Sequence, residues 1–93
     1  MIKTFADKHT RELYRTGKSK KLPPDMHSRG ARKLEYVNLA GRLEDLKVPP
    51  GNRLHPLLDE RQGQYAIRIN DQWRICFRFE DGDAYEVEVC DYH

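Results

Sequence analysis

The feature that most constrains this chain is a change of period at Tyr65. From there Tyr65, Ile67, Ile69, Trp73, Ile75, Phe77, Phe79, Tyr85, Val87 and Val89 all occupy odd positions. Ala66, Arg68, Asn70, Arg74, Cys76, Arg78, Glu86, Glu88 and Cys90 all occupy even ones. Strict alternation marks strands with one apolar and one polar face. Turn-forming residues interrupt it at Asn70-Asp71-Gln72 and Glu80-Asp81-Gly82. A three-residue loop at the first turn pairs Ile67 with Ile75 and sets Arg68 opposite Arg74. At the second turn a two-residue loop would pair Phe77 with Glu86 and mix the faces. A three-residue loop with Gly82 in the left-handed position is therefore expected, pairing Phe77 with Tyr85 and Ile75 with Val87.

An apolar sheet face must be covered, and the first half of the chain supplies the cover. "MIKTFA" reads as a short first strand. "DKHTRELYRTGK" reads as a helix with Asp7 as N-cap and Gly17 as stop, its Leu13 and Tyr14 facing inward. After the loop "SKKLPPD", a second helix is expected from Pro24 to about Leu43. Ala31, Leu34, Val37 and Gly41 share one face of it, and Leu39, Leu43 and Leu46 extend an adjacent stripe. Gly30 inside this helix is unfavourable on propensity alone. The expected fold is α+β, two N-terminal helices on one face of a small, mostly antiparallel sheet. Ninety-three residues make one domain, spanning 1–93.

Composition excludes several classes. No run of about 18 apolar residues is present, so no transmembrane helix is expected, and "MIKTFADKHTREL" lacks the apolar stretch of a signal peptide. A cytoplasmic protein without membrane association is expected. Cys76 and Cys90 match no zinc spacing and read as small buried residues with reduced thiols. No dinucleotide-binding, Walker or Ser-His-Asp pattern occurs. Charge is uneven: residues 1–53 carry 13 Lys and Arg against 6 Asp and Glu, residues 54–93 carry 4 against 9. A basic half suits nucleic acid or an acidic partner; a solvated helical surface explains it as simply.

The uncovered sheet face carries the chemistry. Arg68 opposite Arg74 should be repulsive, so the face either pairs Arg74 with Glu88 or receives an anion. Asp91, Tyr92 and His93 follow the last strand, and Tyr92 keeps the parity of Arg74. His55 lies in the Pro/Gly-rich loop "VPPGNRLHPLLDERQG" just ahead of the sheet. Two histidines beside a phosphate-binding arginine suit cleavage of RNA through its own 2′-OH: one group takes the hydroxyl proton, another protonates the leaving 5′-oxygen, and arginine stabilises the developing charge. A metal set of His55, Asp91 and His93 has no supporting helical spacing. His9 and His27 read as surface residues.

"NRLHPL", "GQYAIRINDQWRICF", "GDAYEVEV" and the terminal "DYH" resemble the HigB toxins of the RelE superfamily, over the whole chain. The resemblance implies a compact microbial-RNase-like fold and a ribosome-dependent mRNA endonuclease that cuts A-site codons without metal or other cofactor. It implies that Arg74 holds the scissile phosphate, that Tyr92 orients or stacks on the mRNA, and that His55, Asp91 and His93 share proton transfer, with Asp91 favoured as base and His93 as acid. It further implies 70S ribosome and mRNA as partners, a cognate HigA-like helix-turn-helix antitoxin, and operator DNA reached through that antitoxin. Relatives often read "HPLKG", whereas Leu58-Asp59 stands here. Arg53, Arg61, Arg68 and Arg78 are the candidate RNA-binding residues, and Arg61, Arg53 or Arg68 is expected to supply the missing charge. The alternative is a weak or inactive relative acting mainly as partner and co-repressor of the helix-turn-helix antitoxin.

Overall fold

A computed structural model describes residues 1–92. Helix α1 spans Lys8–Thr16 and α2 spans His27–Leu39; the strands are β1 (His55–Pro56), β2 (Tyr65–Arg68), β3 (Trp73–Glu80) and β4 (Asp83–Asp91). They form one antiparallel sheet in the order β1-β2-β3-β4. The helices cover one face, burying Leu13, Leu34 and Val37 against Ile67, Ile75, Phe77 and Val87. Among the described residues no helix is long and apolar enough to cross a membrane.

Local chemistry sets the helix limits. The Asp7 carboxylate accepts from the Thr10 amide at 2.8 Å, and Gly17, at φ 81°, donates its N–H to Leu13, satisfying amides and carbonyls left open at helix ends. Gly30 is required by packing: a Cβ there would meet Leu13 Cδ2 at 3.1 Å and Met26 Cε at 3.2 Å. The helix-forming penalty of glycine is thus offset by close approach of α1 and α2. Helix α2 is shorter than expected. Pro24–Met26 form a 3-10 turn ahead of it, and Ala40 is already extended. Asp45 accepts from the Gly41 and Arg42 amides and starts a separate 3-10 turn over Leu43–Lys47. Leu39, expected in an apolar stripe, is exposed, while Leu46 is buried. His27 is not an idle surface residue: its Nε2 lies 2.9 Å from the carbonyls of both Ser19 and Leu22 and holds that loop.

The β2–β3 register is the expected one, with Ile67 opposite Ile75 and Arg68 opposite Arg74. The β3–β4 register is not. The turn has two residues, Asp81 (φ 51°) and Gly82 (φ 83°), with Glu80 opposite Asp83; positive φ at both positions is the type I′ geometry that suits hairpin twist. Mixing of faces is avoided by a bulge between Cys76 and Arg78, with Glu86 at φ 54°. The extra residue restores parity beyond it. Ile75 pairs with Val89 and Arg74 with Cys90, while before the bulge Ala84 enters the core and Tyr85 faces outward opposite Arg78. The Glu86 amide is taken by Thr4 Oγ1 at 2.7 Å. The N-terminal segment is no regular strand; it touches β4 through parallel bridges, Ile2 with Ala84 and Phe5 with Val87.

Candidate active site

The face away from the helices carries Arg68, Arg74 and Arg78, around a small apolar patch of Leu57, Ala66, Cys76 and Cys90. The loop bearing Leu57 folds over this face because β1 pairs with β2, His55 opposite Ala66. That pairing brings His55 beside the sheet end where β4 finishes.

Arg74 does not pair with Glu88. The bulged register sets Glu88 opposite Cys76, and its carboxylate binds Arg61 at 3.1 Å instead. The Arg74 guanidinium lies 5.1 Å from the centroid of the Tyr92 ring, in cation–π range. Tyr92 therefore reaches the Arg74 side of the sheet, and its amide is fixed by the Gln72 carbonyl at 2.8 Å. Arg74 Nε is buried and meets no hydrogen-bond partner among the described residues. A half-buried cation with a buried open donor beside a like-charged neighbour is an anion-seeking arrangement.

Two depressions flank the Arg74–Tyr92 pair. One, of about 730 Å³, is lined by Arg74, Arg61 and the Pro56–Glu60 segment. The other, of about 410 Å³, is lined by Arg53, His55, Arg68, Asp71 and Tyr92. His55 Nδ1 lies 2.7 Å from the Arg53 carbonyl. A carbonyl can only accept, so Nδ1 carries the proton, and Nε2 of the neutral ring holds the lone pair. His55 is thus oriented as a proton acceptor.

The sequence-selected residues separate accordingly. His55, Arg74, Tyr92, Arg53, Arg61 and Arg68 converge around the two depressions. Arg68 is also ion-paired with Asp71. Arg78 lies further along β3, bracketed by Glu80 at 3.7 Å and Glu86 at 3.5 Å. Asp91 pairs with Trp73, and by strand alternation it shares the face of Val89 rather than that of Arg74; its carboxylate accepts from Gln72 Nε2 at 3.1 Å. His93 lies outside the described residues. Asp59, at the glycine position of "HPLKG", has φ 59°, the conformation glycine adopts most readily. Leu58, at the lysine position, is exposed on the rim of the Arg74 depression, and Arg61 provides a guanidinium in the same hollow. The thiols of Cys76 and Cys90 are close enough to share a hydrogen bond beneath this site. That bond and burial raise the pKa of Cys90. The pairing of these thiols is not legible in the sequence, because it depends on the shifted register.

The family model for the RelE-like toxin HigB of type II toxin–antitoxin systems matches residues 3–93. "Endoribonuclease HigB" of Proteus vulgaris is 33% identical over 93 residues, covering all of both chains. "Toxin HigB-1" of Vibrio cholerae is 36% identical over 85 residues, 90% of each chain. Among solved structures, the YoeB-YefM complex from Staphylococcus aureus contains a chain that aligns with TM-score 0.61 at 16% identity, covering 100% of this chain and 98% of that one. A YafQ mutant from E. coli aligns with TM-score 0.57 at 13% identity, covering 99% and 94%. The structural matches carry the fold; the full-length sequence matches carry the kinship, and on them the chain belongs to the HigB family of RelE-like toxins.

Proposed function

We propose that the chain is an endoribonuclease toxin that enters the ribosomal A site, cuts the mRNA codon there and stops translation. The observation that carries this reading is the convergence of an oriented imidazole, His55, with Arg74 and Tyr92 on one open sheet face. Arg74 Nε and its guanidinium bind the scissile phosphate and stabilise the charge that builds on it. His55 Nε2 takes the 2′-OH proton. Tyr92, held against Arg74, stacks on or orients the nucleotide. Of the two terminal residues to which the resemblance assigns a share of proton transfer, Asp91 shares the face of Val89 rather than that of Arg74, and His93 is the group that protonates the leaving 5′-oxygen. The products are a 2′,3′-cyclic phosphate and a 5′-hydroxyl. Membership of a toxin–antitoxin family and a full-length relative named an endoribonuclease support the reading.

The same reading gives the protein a helix-turn-helix antitoxin of the HigA type, operator DNA reached through that complex, and the 70S ribosome with mRNA as its working partners. The test is induction in growing bacteria, with a free C-terminus, wild type beside Arg74→Ala, and mRNA 5′ ends mapped. In-frame cuts within translated codons, absent from the variant, are expected. Identical ends with and without a folded, abundant wild-type protein would sink the nuclease reading. Cuts in naked RNA without ribosomes would overturn the A-site part alone.

A further inference from the structure

A second cationic hollow, of about 320 Å³, opens between α2 and the 49–51 loop; Arg29, Arg32, Lys33, Tyr36 and Arg68 line it, and none of its lining residues is a carboxylate. Arg68 also lines the His55 depression, so the two hollows share a wall. Apart from Arg74, the arginines of the sheet face are matched internally: Arg61 by Glu88, Arg68 by Asp71, Arg78 by Glu80 and Glu86. Among the described residues neither Arg29 nor Arg32 forms an ion pair.

Two exposed arginines alone would be ordinary solvated surface. Lys33 behind them is not ordinary. It is only 9% exposed, its Nζ donates to the buried Asn52 amide oxygen, and it sits 5.7 Å from the Tyr36 ring centroid. Buried lysines normally have an anionic partner. Here the neighbours are further cations. Burial first, then Arg32, Arg29 and Arg68, hold its pKa below the ordinary lysine value. A fold that concentrates cations around a buried ammonium gains from an anion placed in the hollow.

We propose that this hollow is a phosphate subsite for the same RNA strand that occupies the candidate active site, with Arg29 and Arg32 gripping a phosphodiester upstream or downstream of the cut and Lys33 supporting it from behind. The proposal rests on the ribonuclease reading for the strand's other end. The ligand is RNA phosphodiester, taken from the cut strand rather than from ribosomal RNA because Arg68 joins the two hollows.

The test measures binding of 2′-O-methyl RNA, which lacks the nucleophile, to the full chain and to the Arg29→Gln/Arg32→Gln variant. Anisotropy is followed between about 0.05 and 0.2 M salt. For an oligonucleotide of about eight residues, the variant's log–log salt slope is expected to flatten by about 0.7, the value for the one phosphate that is no longer neutralised. A dinucleotide, too short to span both hollows, should show no difference. Equal slopes for the longer strand would overturn the proposal. A defect confined to binding of empty ribosomes would also overturn it, assigning the arginines to ribosomal RNA. Both substituted side chains are surface-exposed, and unchanged thermal melting confirms that the variant is folded. Mapping mRNA ends in translating extract separates the two readings: wild type failing to cut there removes the nuclease, while the salt slope still reports on the subsite.

Discussion

Arg74→Leu separates a catalytic arginine from a structural one. The substitution keeps the bulk of the side-chain stem and removes the charge. Three terms act on stability. Separation from Tyr92, now at 5.1 Å, removes about 0.5–1 kcal/mol of cation–π attraction. Relief of repulsion from the directly opposed Arg68 returns about 0.2–1 kcal/mol. Deleting the buried Nε that meets no partner among the described residues relieves about 1–3 kcal/mol of desolvation penalty. The balance lies between neutral and stabilising. With each kcal/mol worth about 4–8 °C in a domain of this size, the melting midpoint should stay level or rise by several degrees. Activity should move the other way. A charged donor aimed at a transition-state oxyanion is worth about 10²–10³ in rate, so in-frame mRNA cuts should nearly vanish. Circular-dichroism melts beside 5′-end mapping in translating extract read both quantities. A midpoint lowered by about 5 °C or more would show that Arg74 holds the sheet together. Cleavage within about tenfold of wild type would show that it does not hold the phosphate. Either result removes Arg74 from the role of phosphate-binding residue.

Other outcomes follow from groups outside Arg74. Leu58→Lys restores the cation that relatives carry on the rim of the Arg74 hollow; at about 1 kcal/mol for a solvent-exposed charge a few ångströms from the phosphate, kcat/KM should rise several-fold, and an unchanged value would show that Arg61 already suffices. Thr10→Val strands the Val89 amide, which now donates to Thr10 Oγ1 at 2.9 Å in a buried position. About 1–3 kcal/mol should be lost, read as a lower urea midpoint at constant slope. Tyr14 donates to Glu35 at 2.7 Å, and burial, then this bond, raises its pKa from 10.0 to about 12. Because the folded state favours the protonated phenol, its stabilisation is complete below about pH 10 and is lost as pH climbs from there to about 12. Tyr14→Phe should flatten the fall in unfolding free energy across that window; an unaltered fall would assign it to other groups.

The sequence carried the sheet because alternation is a local signal with a global consequence. Each odd strand residue of β2 and β3 had to face one way, and the β2–β3 register followed. The same reasoning failed at Asp81-Gly82. Parity allowed either a three-residue loop or a two-residue turn with a compensating bulge, and both keep Val87 and Val89 inside. What decided was the Glu86 amide, freed by the bulge and taken by Thr4, 82 residues earlier. No window around the turn contains that partner. The end of α2 is a similar case, settled by the Asp45 side chain capping a competing turn rather than by apolar spacing.

The shift of register reaches the site itself. In the expected register Arg74 had Glu88 as neighbour, and an internal ion pair would have made the basic face self-sufficient. The two-residue turn and the bulge each shift β4 by one place; together they move Glu88 to Cys76, where it neutralises Arg61, and leave Arg74 beside Cys90, Tyr92 and the opposed Arg68. Turn and bulge together thus convert a balanced cross-strand pair into an arginine whose remaining donor needs an anion. The prediction is direct. Deleting Glu86 removes the bulge but leaves Glu88 opposite Cys76 and Cys90 opposite Arg74, so RNA cleavage and RNA affinity should persist while the Thr4 contact to the Glu86 amide is lost. A deletion variant that folds but no longer cleaves would show that the bulge shapes the site beyond setting the place of Glu88.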